Sequence, residues 1–212
     1  YDEFKADMDE LVAKGVLKEM PEGMEFSDTY FEEFPFGEVK DATFDGCVFN
    51  RIDFSNVNLE DVSLTDCRFD NCDLSNKCFD KMFITRCEFI NSKMVGTSFI
   101  GAVLKDVKFS LVKGDYINFS GARLSNVLFE EANLSYGYFS ESVMKNVYFD
   151  KANLTNVMFY KVSHDDLDLS NSTLDGIIID ASFLRGVIIN TFQAADLISF
   201  FGVSVRGGYG DS

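Results

Sequence analysis

A large apolar residue returns every five positions from Phe44 to Ile189, and no other feature of the chain limits its fold so tightly. Thirty slots hold twenty-eight such residues, and only Gly114 and His164 depart. Two positions before each slot lies a second ordered site, filled mostly by small or β-branched residues such as Ala42, Cys47, Ile52, Val57 and Ala102. The other three positions are largely Asp, Asn, Ser, Thr, Lys and Gly. A helix repeats every 3.6 residues and a strand every two, so neither can keep a five-residue rhythm on one side. The backbone must turn once per unit, and Asn, Asp, Ser and Gly are the residues that tolerate tight turns and bond their own backbone. Each unit reads as a short strand followed by a corner.

Alternate units differ. Of the twelve slots from 49 to 159 taken every ten residues, eleven are Phe: Phe49, Phe69, Phe79, Phe89, Phe99, Phe109, Phe119, Phe129, Phe139, Phe149 and Phe159, with Leu59 the exception. In the slots between them only Phe44 and Phe54 are Phe. The period is therefore at least ten, and it predicts a Phe wall and a Leu/Met wall across a closed core. Cys47, Cys67 and Cys87 share one inward column at a spacing of twenty, which hints at a twenty-residue coil.

Ala132-Asn133-Leu134-Ser135 and Ala152-Asn153-Leu154-Thr155 resemble the A-[DN]-L-x-x signature of pentapeptide repeat proteins, and the likeness covers about 150 residues. It implies an all-β chain wound as a right-handed quadrilateral β-helix, four units to a coil. Seven and a half coils would follow, a rod of roughly 36 Å at a strand separation of ~4.8 Å. Such a solenoid needs covered ends. Short N- and C-terminal capping helices are expected, giving an acidic helical or cap segment at 1–39, the repeat at 40–190, and a helix and tail at 191–212 that caps or dimerises.

At the N-terminal end, Phe4, Met8, Leu11, Val12, Leu17 and Met20 approximate a helical stripe over residues 2–20, with acids early and Lys14 and Lys18 late. This segment is either a cap over the first coil or a docking helix or swapped arm. Phe26, Tyr30, Phe31, Phe34 and Phe36 then lead into the repeat. Beyond Ile189, Ala194, Leu197, Ile198 and Phe201 stand at helical spacing before Gly202. The stretch from Phe192 to Val205, with its aromatic-Gln-Ala start, Leu197 and the Phe201-Gly202-Val203-Ser204-Val205 ending, resembles the C-terminal segment of the quinolone-resistance pentapeptide proteins. That likeness implies a homodimer of two rods paired end to end. Ile178, Phe183, Ile188, Leu197, Ile198, Phe200, Phe201 and Val203 are its expected interface, and truncation after Asn190 should abolish it. The alternative is a monomer whose terminal helix alone covers these groups.

The charge balance, 19 Lys and Arg against 35 Asp and Glu for a formal −16, disfavours direct binding of nucleic acid and suits a partner with a basic face. The resemblance implies DNA gyrase, and topoisomerase IV beside it, as that partner: the rod imitates duplex DNA in the enzyme's basic groove, protecting the enzyme from quinolone-type poisons or inhibiting it. Outward acids suited to that groove are Asp45, Asp53, Glu60, Asp61, Asp66, Asp70, Asp73, Asp80 and Glu88. A rival reading is a scaffolding module that docks an unrelated protein through outward Tyr136, Tyr138, Tyr148, Met158 and Tyr160. The unbroken phase from 44 to 189 leaves no place for large projecting loops.

Chemistry is sparsely represented. There is one His and no Trp, and the chain lacks a C-x-x-C pair, a phosphate loop or a nucleophile elbow. An enzyme, a cofactor or a metal is not expected. His164 beside Asp165, Asp166 and Asp168 reads as a hydrogen-bonded core histidine at an irregularity, and Gly114 as a bulge or distorted corner. No run approaches the ~18 apolar residues of a membrane span. Five Cys and no signal-like opening point to a reducing compartment, the cytoplasm.

Overall fold

The computed structural model describes residues 22–200 and 203. The helix expected over residues 2–20 and the expected interface residue Phe201 lie outside them, as does the side chain of Phe200.

The chain is a right-handed quadrilateral β-helix. Its parallel ladder advances by twenty residues per coil, so Phe44, Leu64, Ile84, Leu104, Leu124, Met144 and His164 stand one above another on the first face. The second face is centred on Phe49, Phe69, Phe89, Phe109, Phe129 and Phe149. The third face runs through bridges from Asp53 to Thr173, and the fourth from Val39–Leu59 through Cys78, Ser98, Asn118 and Tyr138 to Ile178. Every phenylalanine of the expected ladder is at most 2% exposed.

Because alternate units of a four-sided coil fall on opposite faces, there are two Phe walls rather than one. Within the second face the rings stack at 4.6 to 5.0 Å. Within the fourth, from Phe79 to Phe159, they stack at 4.9 to 5.1 Å. Across the axis the walls meet edge to face, as at Phe129–Phe139, 5.9 Å and 89°. Both arrangements place the positive ring edge against a neighbour's negative face or offset, as aromatic quadrupoles prefer. The Leu and Met columns of the first and third faces fill the remaining sides.

The corners explain the polar punctuation. Most units place one residue in the left-handed backbone region, with φ between +47° and +61° at twenty-one non-glycine positions among the described residues. None of them is Val, Ile or Thr, whose branched Cβ is least compatible with that region. Asn and Asp recur there because their short side chains bond locally, and neighbouring coils link them into ladders such as Asp106–Asn126–Asn146.

The solenoid begins at Glu25 rather than at 40. Phe26 lies beside Phe44 and Phe31 beside Phe49, an offset of eighteen that breaks the twenty-residue rule and hides the first coil from a search by period. The two missing residues fall between Phe31 and Val39, around Pro35, which has no N–H for the ladder. Eight coils result, closed at the far end by a helix at Thr191–Phe200, here α1. Gly114 is no bulge: its N–H bonds Asn133 O at 2.7 Å and the ladder passes through it undisturbed. Its missing side chain is replaced from the neighbours, with Ile117 Cδ1 and Leu134 Cδ2 each 3.4 Å from where a Cβ would stand.

Candidate interaction surfaces

A coil that faces all its large side chains inward has only its outward slots and corners to offer a partner. The nine expected acids occupy those positions, but they do not share a face. Asp45 is on the first face, Asp70 and Glu88 on the second, Asp53 and Asp73 on the third, Glu60 and Asp80 on the fourth, and Asp61 and Asp66 at corners. Several are answered by a base on the same or an adjacent coil: Arg68 bonds both Asp70 and Glu88, Arg86 pairs with Asp66, and Lys93 with Asp73. The hydrogen bond from the Arg86 guanidinium holds the Asp66 carboxyl below its usual range. Asp53 is lowered chiefly by the Ser55 N–H that it accepts at 2.8 Å.

Charge is instead graded along the axis. Residues 22–61 carry eleven acids and two bases, whereas residues 62–189 carry sixteen acids and thirteen bases. The N-terminal coils are therefore strongly anionic on all sides, and the shaft above them is close to neutral.

The upper fourth face is uncharged. From Gly96 to Ile178, none of the fourteen outward and third-to-fourth corner residues on this side is ionisable at neutral pH as an acid or base. Tyr138, Met158 and Ile178 stand in direct succession along it. Tyr116 and Tyr136 stack at 5.1 Å along its edge, and the Lys161 ammonium sits 5.2 Å from the Tyr160 ring centre at the other. Tyr148 of the scaffolding set lies apart, on the second face beside Leu128.

At the C-terminal end, Asn190 and Gln193 form a reciprocal cap on α1. Asn190 Oδ1 accepts from the Phe192 and Gln193 N–H groups at 2.9 and 3.0 Å, and Gln193 Oε1 accepts from Asn190 N at 2.7 Å. Gln193 Nε2 also donates to Leu169 O and Ser172 O at 2.8 and 2.7 Å, so one side chain satisfies both the helix start and the coil beneath it. Leu197 turns inward and is buried.

The expected dimer interface is corrected at two residues. Phe183 is 1% exposed and stacks on Phe159 at 4.8 Å, and Leu197 covers the core end, so neither is available to a second chain. The tight turn after Asp180, whose carboxylate accepts from the Ser182 and Phe183 N–H groups, shifts the phase by one residue and sends Phe183 inward in place of Leu184. Ile178, Ile188, Ile198 and Val203 are exposed, but Ile178 and Ile188 belong to opposite faces of the coil. Phe192, 85% exposed, is an apolar group at this end that the five-residue period could not single out, because it lies beyond the repeat.

His164 takes the interior slot above Met144 but is only half-buried. Its Nε2 lies 2.7 Å from Phe183 O, its Nδ1 approaches Asp165 O, and its ring meets Phe183 edge to face. Asp165, Asp166 and Asp168 point to solvent. Among the described residues no group of three or more His, Cys, Asp or Glu is placed to hold a metal. Cys47, Cys67 and Cys87 are buried in one column, and burial pushes the neighbouring Cys72 thiol up to about 11. No described helix is long and apolar enough to cross a membrane.

Residues 62–139 match the model of a pentapeptide repeat region, and residues 40–76 that of pentapeptide repeats in eight copies. No curated protein matches in sequence. Among solved structures, the chain is similar to a trypsin-treated form of QnrB1, a plasmid-mediated fluoroquinolone resistance protein, at 21% identity over 86% of this chain and 98% of that one, with a TM-score of 0.43. It is similar also to HetL, a pentapeptide repeat protein involved in heterocyst differentiation regulation from the cyanobacterium Nostoc sp. strain PCC 7120, at 16% identity, 87% and 96% coverage and a TM-score of 0.49. The repeat models together span residues 40–139, where the chain consists of pentapeptide repeats, and the twenty-residue ladder continues beyond them to the C-terminal helix.

Proposed function

We propose that this protein acts without catalysis, as a cytoplasmic rod whose anionic N-terminal coils enter the basic DNA groove of a type II topoisomerase, DNA gyrase or topoisomerase IV, and so shield it from a quinolone-type poison or inhibit it. The observation that carries the reading is the charge gradient: eleven acids against two bases over residues 22–61, distributed around every side of the stack. A groove built for phosphates attracts an acidic cylinder of any rotation about its axis, whereas a single acidic stripe would have to be aligned. The likeness of residues 192–205 to quinolone-resistance proteins supports the choice of partner. Pairing of two rods through the C-terminal end, with Phe192, Ile198 and Val203 as anchors, belongs to the same reading.

A gyrase supercoiling assay with and without a fluoroquinolone tests it. At micromolar protein, either supercoiling falls or activity persists at drug concentrations that otherwise abolish it. Glu32→Gln, Glu33→Gln, Asp45→Asn and Asp53→Asn together weaken the effect at least about tenfold, since each lost charge contact reduces affinity at moderate salt. No effect of the unmodified protein on either enzyme removes the proposal. Light scattering of Phe192→Asp, expected to give the monomer mass where the parent gives a dimer, tests the pairing.

The uncharged upper fourth face favours a second reading, a scaffold for an unrelated protein. Its mixture of Tyr, Ser, Asn and Gly resembles the surfaces by which antibodies bind protein, rigid aromatic area interspersed with adaptable hydrogen-bonding groups. Tyr138→Asp and Tyr160→Asp would abolish such docking and leave topoisomerase effects unchanged.

A further inference from the structure

The first face differs from the rest of this acidic molecule. Phe83, Val103, Arg123 and Val143 form one outward column, and Thr85, Lys105, Ser125 and Lys145 the column beside it. Phe83 is 67% exposed and Val143 47%, apolar groups on a face open to water. Lys105, Arg123 and Lys145 are exposed and make no ion pair with any described carboxylate, whereas Arg68, Lys93 and Lys108 on other faces are paired. Lower down, the same two columns carry Glu25, Thr43 and Ser63, and Ser27, Asp45 and Thr65. One face is therefore acidic at one end, basic at the other and apolar where the two meet.

We propose that this face pairs with the same face of a second copy, antiparallel, about a two-fold axis that crosses it between the rungs of Phe83 and Val103. Such an axis sets each column against itself in reverse order, and every contact occurs twice. Phe83 packs on Val103 of the second copy at the centre. Asp45 meets Lys145, Asp61 at the neighbouring corner meets Arg123, and Arg86, bonded to Asp66 in its own chain, meets Asp106. Lys105 lies opposite Thr85, Lys81 opposite Gly101 and Asp66 opposite Asn126. Among the described residues, like charges face one another at the margins: Asp41 opposite Glu141, which Lys161 answers in its own chain, and Asp28 opposite Asp166 on the outermost rung. The charges also choose the register. Moving the axis half a rung onto Phe83 sets Arg86 on Arg86 and Asp66 on Asp106, and moving it onto Val103 sets Lys105 on Lys105 and Asp45 on Asp165. Rods paired in the same direction bring like rungs together, cation on cation above and acid on acid below. Six rungs at ~4.8 Å by roughly 15 Å of face and corner bury about 900 Å² over both copies, under the ~1,200 Å² of stable interfaces. The contact is therefore weak, and it is dissociated at micromolar protein and ~0.15 M salt, where its charges are screened. It is separate from pairing through the C-terminal end and does not depend on the topoisomerase reading.

Carbodiimide coupling, which joins a carboxylate to an amine without a spacer, tests it on the full chain at ~1 mM protein and ~0.02 M sodium chloride, where screening is weak. Asp45 and Lys145 are five rungs apart in one chain, ~24 Å, so a bond between them forms only between copies. A linked Asp45–Lys145 peptide is expected in the covalent dimer, and it is lost at ~0.5 M salt. Sedimentation equilibrium of the Phe192→Asp chain, which lacks the C-terminal contact, is expected to show dimers under the same low-salt conditions. There Lys145→Glu weakens association at least about tenfold, since two attractions become two repulsions, and adding Asp45→Lys restores it. Monomers of the Phe192→Asp chain at that concentration overturn the proposal. So do dimers that Lys145→Glu leaves unaffected, and so does a covalent dimer without the Asp45–Lys145 peptide.

Discussion

Ser142 and Gly137 show how tightly single residues are specified by the coil above and below. Ser142 occupies the small inward slot that Ala102 and Ala122 fill in the same column, and its hydroxyl is fully buried with no hydrogen-bond partner. Ser142→Ala should therefore raise stability by about 1 kcal/mol in urea denaturation, because it removes an unsatisfied polar group without leaving a cavity. Gly137 takes the equivalent slot on the fourth face. A Cβ there would come within 2.7 Å of Leu134 O and 3.3 Å of Ile117 O, and backbone on both sides has nowhere to go. Gly137→Ala should cost about 2 to 3 kcal/mol, the upper range for overpacking. At Gly114, by contrast, the nearest groups stand at 3.3 to 3.4 Å and include two side-chain tips, so Gly114→Ala should cost less than half as much. The two glycine positions share neighbours: Ile117 and Leu134 lend side-chain tips to the hole at 114, and backbone oxygens of the same two residues leave no room at 137. The absence at Gly114 could be seen in the repeat, but not its repair, since the repair involves residues in three different units brought together only by the winding.

At the scale of elements, the terminal helix is held by its first turn. Gln193 joins α1 to the carbonyls of Leu169 and Ser172, and Asn190 Nδ2 donates to Ser170 O at 2.7 Å. Gln193→Ala should cost about 2 kcal/mol, a lost cap together with unmet carbonyls, and the loss should be confined to faster amide exchange over residues 167–189. Gln193→Glu keeps the acceptor for Asn190 N but turns a carboxylate toward two carbonyl oxygens, so it should be no better than Ala. The interior slots were legible from the chain because the five-residue period is imposed by the backbone itself, and the helix was legible from its own spacing. The first coil was not, since Phe26 and Phe31 step by eighteen to their partners. Phe183 was not either, because one turn at Asp180 moves the phase by a single residue and exchanges inside for outside. Which of the acids on outward slots and corners share a face depends on the coil length, and a twenty-residue coil disperses them over four.

Over the whole molecule, the axial charge gradient sets an electrostatic asymmetry that packing does not. The core is continuous from Phe26 to Leu197, and the stacked rings make each coil depend on its neighbours, as in other solenoids. Yet the lower coils carry eleven acids against two bases, so like charges on successive rungs, ~4.8 Å apart, repel at low ionic strength. The shaft above has close to balanced charge, with pairs such as Arg86–Asp66 and Lys108–Glu130 linking adjacent coils. Salt screens both, over a length that shrinks from ~30 Å at 0.01 M to ~10 Å at 0.1 M. In the lower coils screening removes a net repulsion, while in the shaft it weakens exposed pairs whose contribution is already small. Amides of Phe44, Phe49 and Phe54 should therefore exchange more slowly as sodium chloride is raised from 0.01 to ~0.3 M, and those of Val103–Ser110 and Arg123–Glu130 should hardly change. Uniform slowing along the rod would mean that salt acts on burial of the shared core instead, and the gradient would then have no bearing on stability. The same experiment reports on the partner surface: a region that is destabilised by its own charge in isolation is stabilised by a basic groove, so the lower coils, and not the shaft, should gain protection when such a partner is bound.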